Sequence, residues 1–252
     1  MNDRPLQGKS VVVTRASHQS GDLIQALTKA GADVIAAPAI AVVPPLDGGQ
    51  PLDDALIRLE RFSWLAFTST NSVAALMARG ARRGVLKRFA HLQIAAVGHG
   101  TAAKVTSEMG REPDLVPARQ DGASVANAFP PPQPGDRVLV PIASDGRPDL
   151  PEGLRARGWD VDCVAAYRTV YPSLDENLVS RALSAEIVIF ASPSAVKGHL
   201  EQTGGKTAPK VIVIGDTTAQ ECRLSGLEVA AIAGEPSVEG LLKAVSRAAD
   251  HQ

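Results

Sequence analysis

The chain has 252 residues, 44% of them hydrophobic and 21% charged, with a formal net charge of −1. That length suits one large or two small domains with real cores, and the charge balance excludes a global basic field for nucleic acid or an anionic membrane. Two cysteines without metal-ligand spacing, aromatics at only 4% and no run of about 20 apolar residues argue against an oxidising compartment, a metal site, a base-stacking platform and a membrane span.

The start, Met1–Gln7, is polar and lacks the apolar run of a signal peptide, so a cytoplasmic location is the expectation. Ser10–Val13 predicts a strand. Ser20–Ala30 predicts a helix, with Leu23, Ile24, Leu27 and Ala30 at helical spacing. Gly31 sits where a glycine ends a helix. A second strand follows at Val34–Ala37, then a β-prone connector, Pro38–Pro45, that ends on prolines. Further strands are expected at Trp64–Thr68, Ile94–Val97 and Asp114–Val116. Pro130–Gly135 reads as a stiff surface connection. After it come Arg137–Pro141 and Val161–Ala166, a second connector at Ala165–Pro172, and strands at Ile187–Phe190, Val211–Ile214 and Val229–Ile232. Continuous apolar strands alternating with helices predict α/β architecture, with parallel sheets flanked by helices on both faces.

The chain also repeats itself. The stretch from Val11 to Val34 aligns without a gap to Val138–Val161, pairing Asp22 with Asp149, Leu27 with Leu154 and Gly31 with Gly158. Phe67-Thr-Ser-Thr-Asn-Ser-Val73 matches Phe190-Ala-Ser-Pro-Ser-Ala-Val196. Val97-Gly-His-Gly-Thr-Ala102 matches Ile214-Gly-Asp-Thr-Thr-Ala219, and Ser124-Val125 matches Ser237-Val238. Four blocks in one order mean duplication of a whole α/β unit, longer than a solenoid repeat. Two similar lobes with a cleft follow, because open parallel sheets bind ligands beyond the carboxyl ends of their strands.

The loops just past the strands hold the candidate residues. Thr68-Ser69-Thr70-Asn71-Ser72 and Ser192-Pro193-Ser194 are hydroxyl-rich strand-to-helix turns. They read either as donors for an anionic ligand or as helix caps. No G-x-S-x-G elbow marks a nucleophile. Gly98-His99-Gly100-Thr101-Ala102-Ala103 fits the dinucleotide fingerprint. Its repeat copy, Gly215-Asp216-Thr217-Thr218-Ala219, lacks the second glycine, and no carboxylate ends the following strand. The shared pattern reads instead as a tight turn with Thr101 and Thr218 in a first helical turn, holding carboxylates or capping. Gly205-Lys206-Thr207 lacks the first glycine of a phosphate loop and leads into a strand. His18, His91, His99, His199 and His251 form no metal constellation, although His18 and His99 lie in strand-end loops. Arg15, Arg147, Arg168 and Lys197 are cations in or near the same loops, either carboxylate partners or surface charges. Tyr167, in the second connector, is either a hydrogen-bond donor into the cleft or a packing residue.

These blocks together resemble the uroporphyrinogen-III synthase family over nearly the whole chain. The carrying features are Val13-Thr14-Arg15, Phe67–Val73, Val97-Gly-x-x-Thr-Ala102, Val164-Ala-Ala-Tyr-Arg-Thr169, Phe190–Val196 and Ile214-Gly-x-Thr-Thr-Ala219. The resemblance implies crossed domains, 1–38 with 172–252 and 42–166, joined by a two-stranded β-ladder from 38–45 and 165–172, with the cleft between them. It implies no cofactor and a small-molecule substrate, the linear tetrapyrrole hydroxymethylbilane. It implies a monomer in tetrapyrrole (haem, sirohaem or corrin) biosynthesis that binds neither nucleic acid nor membrane. The reaction implied loses water and closes the ring with its last pyrrole inverted, through a spiro-pyrrolenine. Tyr167 would be the catalytic residue. Thr14, Arg15, Thr68, Ser69, Thr70, Gly98, Thr101, Ser144, Arg147, Ser192, Ser194, Thr217 and Thr218 would bind substrate. Two places depart from the family pattern. Ile142-Ala143-Ser144-Asp145 stands where many members show an Arg-Gly turn, and Asp216 puts a negative charge beside a loop meant for carboxylates.

Overall fold

The computed structural model describes residues 4–250. His251 and the first three residues of the polar Met1–Gln7 segment lie outside the described residues. The chain folds as two compact units. Residues up to Ala41 and from Val170 onward form one, here the split unit, and Val42–Thr169 form the other, the continuous unit.

The split unit carries strands β1 (Ser10–Val13) and β2 (Asp33–Ala36), and helix α1 (Gly21–Lys29) between them. The continuous unit begins with β3 (Ala41–Val43). It continues through α2 (Gln50–Ile57), β4 (Trp64–Phe67), α3 (Thr70–Arg83), β5 (Gln93–Ala96), α4 (His99–Met109), α5 (Gly122–Ala128), β6 (Arg137–Ala143), α6 (Asp149–Ala156) and β7 (Asp160–Val170). The chain then completes the split unit with α7 (Glu176–Leu183), β8 (Ile187–Phe190), α8 (Pro193–Gln202), β9 (Lys210–Val213), α9 (Asp216–Leu224), β10 (Val229–Ile232) and α10 (Val238–Asp250).

The sheets have strand orders β10-β9-β8-β1-β2 and β3-β7-β6-β4-β5. The first is parallel throughout, as is β7-β6-β4-β5 in the second. Each sheet therefore mixes repeats. The first repeat gives β1 and β2 to the split unit but β4 and β5 to the continuous unit, and the second repeat does the reverse.

Alternation along the buried strands places a core on each face. Val11, Val13, Ile187 and Ile189 pack under α1 and α10, while Val12, Val188 and Phe190 pack on the other side. In the continuous unit Leu65, Phe67 and Leu139 face one core, and Trp64, Ala66, Val138 and Val140 face the other, where Phe129 and Trp159 also sit. Burying each such large side chain contributes about 1.5–3 kcal/mol. The end of α1 shows how local chemistry fixes these layers. Gly31 adopts φ 96°, and the N–H groups of Gly31 and Ala32 reach back to Thr28 and Leu27 carbonyls. This left-handed stop needs a residue without Cβ.

Three sequence expectations change. Asp114–Val116 is not a strand. Leu115 makes one isolated bridge to Ala95, and Pro113 and Pro117 on either side cannot donate to a ladder. The first connector is strand only over Ala41–Val43. The second is no separate element, because β7 runs unbroken to Val170.

Candidate functional site

Both sheets are doubly wound, and each has a point where the winding reverses: between β1 and β8, and between β6 and β4. Loops leaving the carboxyl ends of neighbouring strands splay apart there and leave room for a ligand.

In the continuous unit, β4 ends in Thr68 and Ser69. Ser69 is extended (φ −158°, ψ 159°) and caps α3, its Oγ accepting the Ser72 N–H at 3.1 Å. The same Oγ lies 3.0 Å from the Tyr167 hydroxyl. Tyr167 reaches it because the β6–β7 register shifts between Ile142 and Ala143, so that Ala143 pairs with Tyr167 and one residue is skipped. Such bulges re-aim side chains beside sites. Ser144 braces this turn, its N–H donating to the Tyr167 carbonyl at 2.8 Å and its Oγ to the same oxygen at 3.3 Å. Burial pushes the Tyr167 phenol above its ordinary pKa of 10, opposed by hydrogen bonds to Ser69 and Asn71, while the Asp145 charge adds to the rise. The hydroxyl therefore keeps its proton at neutral pH and can act as donor. It borders a cavity of about 340 Å³ lined also by Thr68, Ser69, Gln120, Arg147 and Asp149. Arg147 is exposed and makes no ion pair among the described residues.

In the split unit, Ser192 caps α8 with nearly the same backbone (φ −166°, ψ 158°), accepting the Ala195 N–H at 3.2 Å and lying 3.0 Å from Ser194 Oγ. Arg15 follows β1. It is half-buried with no carboxylate in ion-pair range among the described residues, and burial lowers its pKa while the Asp22 charge opposes that. A desolvated guanidinium of this kind is suited to a carboxylate. Thr217 is exposed in the first turn of α9, and the Gly215 before it faces open space.

The structure separates the predicted residues. Thr68, Ser69, Thr70, Ser144, Arg147 and Tyr167 gather at one reversal point, while Arg15, Ser192, Ser194 and Thr217 lie on strand-end loops of the other unit. Three expectations are corrected. Thr14 is fully buried, its hydroxyl donating to the Ile189 carbonyl at 2.7 Å, so it stitches β1 to β8 and presents nothing to a ligand. Thr101 and Thr218 are 6% and 3% exposed. They occupy the third position of α4 and α9, on the side turned inward. They are not caps either, since Gly98 and Gly215 hold those positions in extended backbone with no side-chain cap bond. Gly98 is itself buried, and a Cβ on it would lie 2.8 Å from Cδ of Gln120. That side chain packs on the first glycine of the turn, whereas the second, Gly100, is exposed with open space around it, so what weighs against the dinucleotide reading is the missing second glycine of the repeat copy. Arg168 donates to the Pro44 carbonyl at 3.1 Å, and Lys197 lies 3.6 Å from Glu221. His18 and His99 are exposed. Sequence reasoning missed Gln120 and Asp149 as cavity residues. Nothing in a loop of unknown course marks Gln120, and Asp149 reads only as a helix-start acid.

Known proteins resemble this chain over nearly its whole length. The family described as uroporphyrinogen-III synthase HemD matches residues 7–243. The uroporphyrinogen-III synthase of Synechococcus elongatus is 30% identical, over 98% of this chain and 98% of that protein. Two solved structures share the fold. A mutant uroporphyrinogen III synthase of Thermus thermophilus has TM-score 0.67 and 18% identity over 97% of this chain and 100% of that one. The uroporphyrinogen-III synthetase of Helicobacter pylori 26695 has TM-score 0.61 and 19% identity over 93% and 97%. With a match across nearly its whole length and these strand-end loops in place, the chain belongs to the uroporphyrinogen-III synthase family.

Proposed function

We propose that this chain closes hydroxymethylbilane to uroporphyrinogen III, as a hydro-lyase working without a cofactor, as a cytoplasmic monomer. One observation carries the chemical part: a buried, protonated Tyr167 phenol at the rim of a cavity, fixed by Ser69 at 3.0 Å. In this reading Tyr167 gives its proton to the substrate's terminal hydroxyl as the C–O bond breaks. Water leaves, and the electron pair of the pyrrole nitrogen forms an azafulvene. That carbon is attacked by the substituted carbon of the last ring, giving a spiro-pyrrolenine. Cleavage of the older bond and reclosure at the other carbon invert the ring. The phenolate recovers a proton as the pyrrole rearomatises.

Unaided closure gives the uninverted isomer, so the protein's main task is to hold one conformation. Arg15, Ser192, Ser194 and Thr217, with Thr68, Ser69, Thr70, Ser144 and Arg147, supply hydroxyls and cations for the substrate's carboxylates. Gly215, which faces open space, lets the backbone of its turn lie close to it. The test is to supply hydroxymethylbilane made in situ and to resolve the oxidised porphyrin isomers. The inverted isomer is expected. Only the uninverted one, at the spontaneous rate, overturns the reading.

A further inference from the structure

We propose that Gln202 is a positioning residue for this reaction: with Gly198 it clamps both connecting segments of the split unit to α8, the helix that carries Ser192 and Ser194. Gln202 is the last residue of α8. Its Nε2 donates to the Pro38 carbonyl at 3.2 Å and to the Pro172 carbonyl at 2.6 Å. Both partners are acceptors only, so the amide nitrogen must face them. Pro38 lies three residues before the chain leaves the split unit after Ala41, and Pro172 lies just after it returns at Val170. One amide nitrogen therefore holds the outgoing and the returning segment together.

Gly198, one turn earlier on the same face, completes the grip. It is buried, and a Cβ there would collide with the Ala39 carbonyl oxygen and come within 2.7 Å of Tyr171 Cδ1. Ala39 belongs to the outgoing segment and Tyr171 to the returning one. The lack of a side chain lets α8 press on both. Gln202 Oε1 is buried without a hydrogen-bond partner. Keeping such an oxygen inside is unfavourable, which indicates that the amide is retained for its nitrogen.

The other end of α8 gives the clamp its meaning. Ser192 and Ser194 stand at its first turn, among the groups assigned above to substrate carboxylates, and this part of the inference rests on that assignment. A helix of this length moves as one body, so a displacement at the serines is delivered to Pro38 and Pro172. Gln202 touches no reacting atom and acts through the connectors alone.

Two measurements on the full chain test this. Hydrogen exchange over residues 38–43 and 168–173, without ligand, should be about tenfold faster in Gln202→Met and in Gly198→Ala than in the wild type. Unchanged exchange in both variants overturns the clamp. In steady-state assays kcat should fall and KM rise together, each by about three- to tenfold, as hinge changes do. Loosened connectors with kcat and KM both unaltered overturn the positioning role. If Gln202→Met does not fold, Gln202→Asn, one methylene shorter, keeps the amide but loses the reach to both carbonyls. The exchange arm needs no substrate, so its failure sinks the clamp alone. Absence of the inverted isomer from the wild type sinks the functional reading alone.

Discussion

The two units share the order of four strands, β9-β8-β1-β2 in one and β5-β4-β6-β7 in the other, and a cap, but they differ in what they place at the end of the strands. Ser69 and Ser192 occupy matching positions, have similar extended backbone (φ −158° and −166°, ψ 159° and 158°) and cap α3 and α8 in the same way. Tyr167 has no such twin. Continuing the gapless alignment past Val34 and Val161 sets Ile40 opposite it, a buried apolar residue. The two helix-opening glycines diverge as well, Gly98 being covered by Gln120 while Gly215 faces open space. Duplication thus kept the parts that fold each unit. The parts that can act on a ligand were free to differ, giving one unit a proton donor and the other a half-buried Arg15 with no ion pair among the described residues.

The units also differ in what holds them, and this can be tested separately because both tryptophans, Trp64 and Trp159, belong to the continuous unit. There Asp53 is 4% exposed and takes a bidentate contact from Arg79 (2.5 and 2.7 Å) and another from Arg83 (2.5 Å). These bonds join α2 to α3 and hold the carboxyl well below the usual range. Replacing Asp53 with Ala strands Arg79 and should cost about 3–5 kcal/mol, read as an earlier urea midpoint in tryptophan fluorescence. A cost under about 1 kcal/mol, the range of exposed pairs, breaks the claim that this ion pair anchors the continuous unit.

The next effect belongs to the split unit. His199 is fully buried, packs edge-on against Phe190 and lies 3.1 Å from Thr207 Oγ1. Burial pushes its pKa from 6.5 down to about 4. The unfolded chain accepts the proton near 6.5 but the folded one only near 4. Stability is therefore full above pH 6.5 and falls as the pH drops towards 4, by about 3 kcal/mol in total. Asp53 also loses its contribution on acidification, but in a lower window. Its contribution persists until the pH falls below the ordinary carboxylate value of 3.8. Between pH 7 and 4.5, circular dichroism should show the split unit weakening before tryptophan fluorescence reports any change, and His199→Gln should flatten that dependence. Simultaneous loss by both probes removes the contrast.

Tyr167→Phe should lower kcat by about 10- to 100-fold, less than the 10²–10⁴ typical of a lone general acid, because positioning is shared among many contacts. A larger loss makes Tyr167 a dominant acid, and a loss under about threefold removes it from the proton transfer. The smallest effect compares the caps. Ser69→Ala and Ser192→Ala should each cost about 1 kcal/mol of stability, measured as a shift in Tm. Only Ser69→Ala also removes a hydrogen bond from the Tyr167 hydroxyl, leaving the one to Asn71, so its kcat should fall further than that of Ser192→Ala. Equal losses of kcat would mean that the two ends contribute alike.

Much of this was legible in the chain. Three strands, Ser10–Val13, Ile187–Phe190 and Val229–Ile232, have the bounds their apolar runs predict, and Gly31 ends α1. Asp114–Val116 misled because its residues are β-prone while its flanking prolines deny it a ladder. The hydroxyl loops were readable as strand-to-helix turns, but not which oxygens point outward. Thr14, Thr101 and Thr218 look like ligand donors in a sequence because hydroxyl content carries no direction, and their helices and strands turn them inward.

By itself the sequence determined local and periodic matters: parallel strands, helices between them, a duplicated pattern, and the serines that start two helices. Those follow from burial periodicity and from capping, both of which act within a few residues. Only the tertiary structure decided that each sheet takes strands from both repeats, that a skipped residue in β7 carries Tyr167 to Ser69, and that Gln202 meets Pro38 and Pro172. Each depends on contacts between residues far apart in the chain. Two nearly equal repeats offer the same apolar edges to one another, so hydrophobic pattern cannot choose between pairing within a repeat and pairing across them.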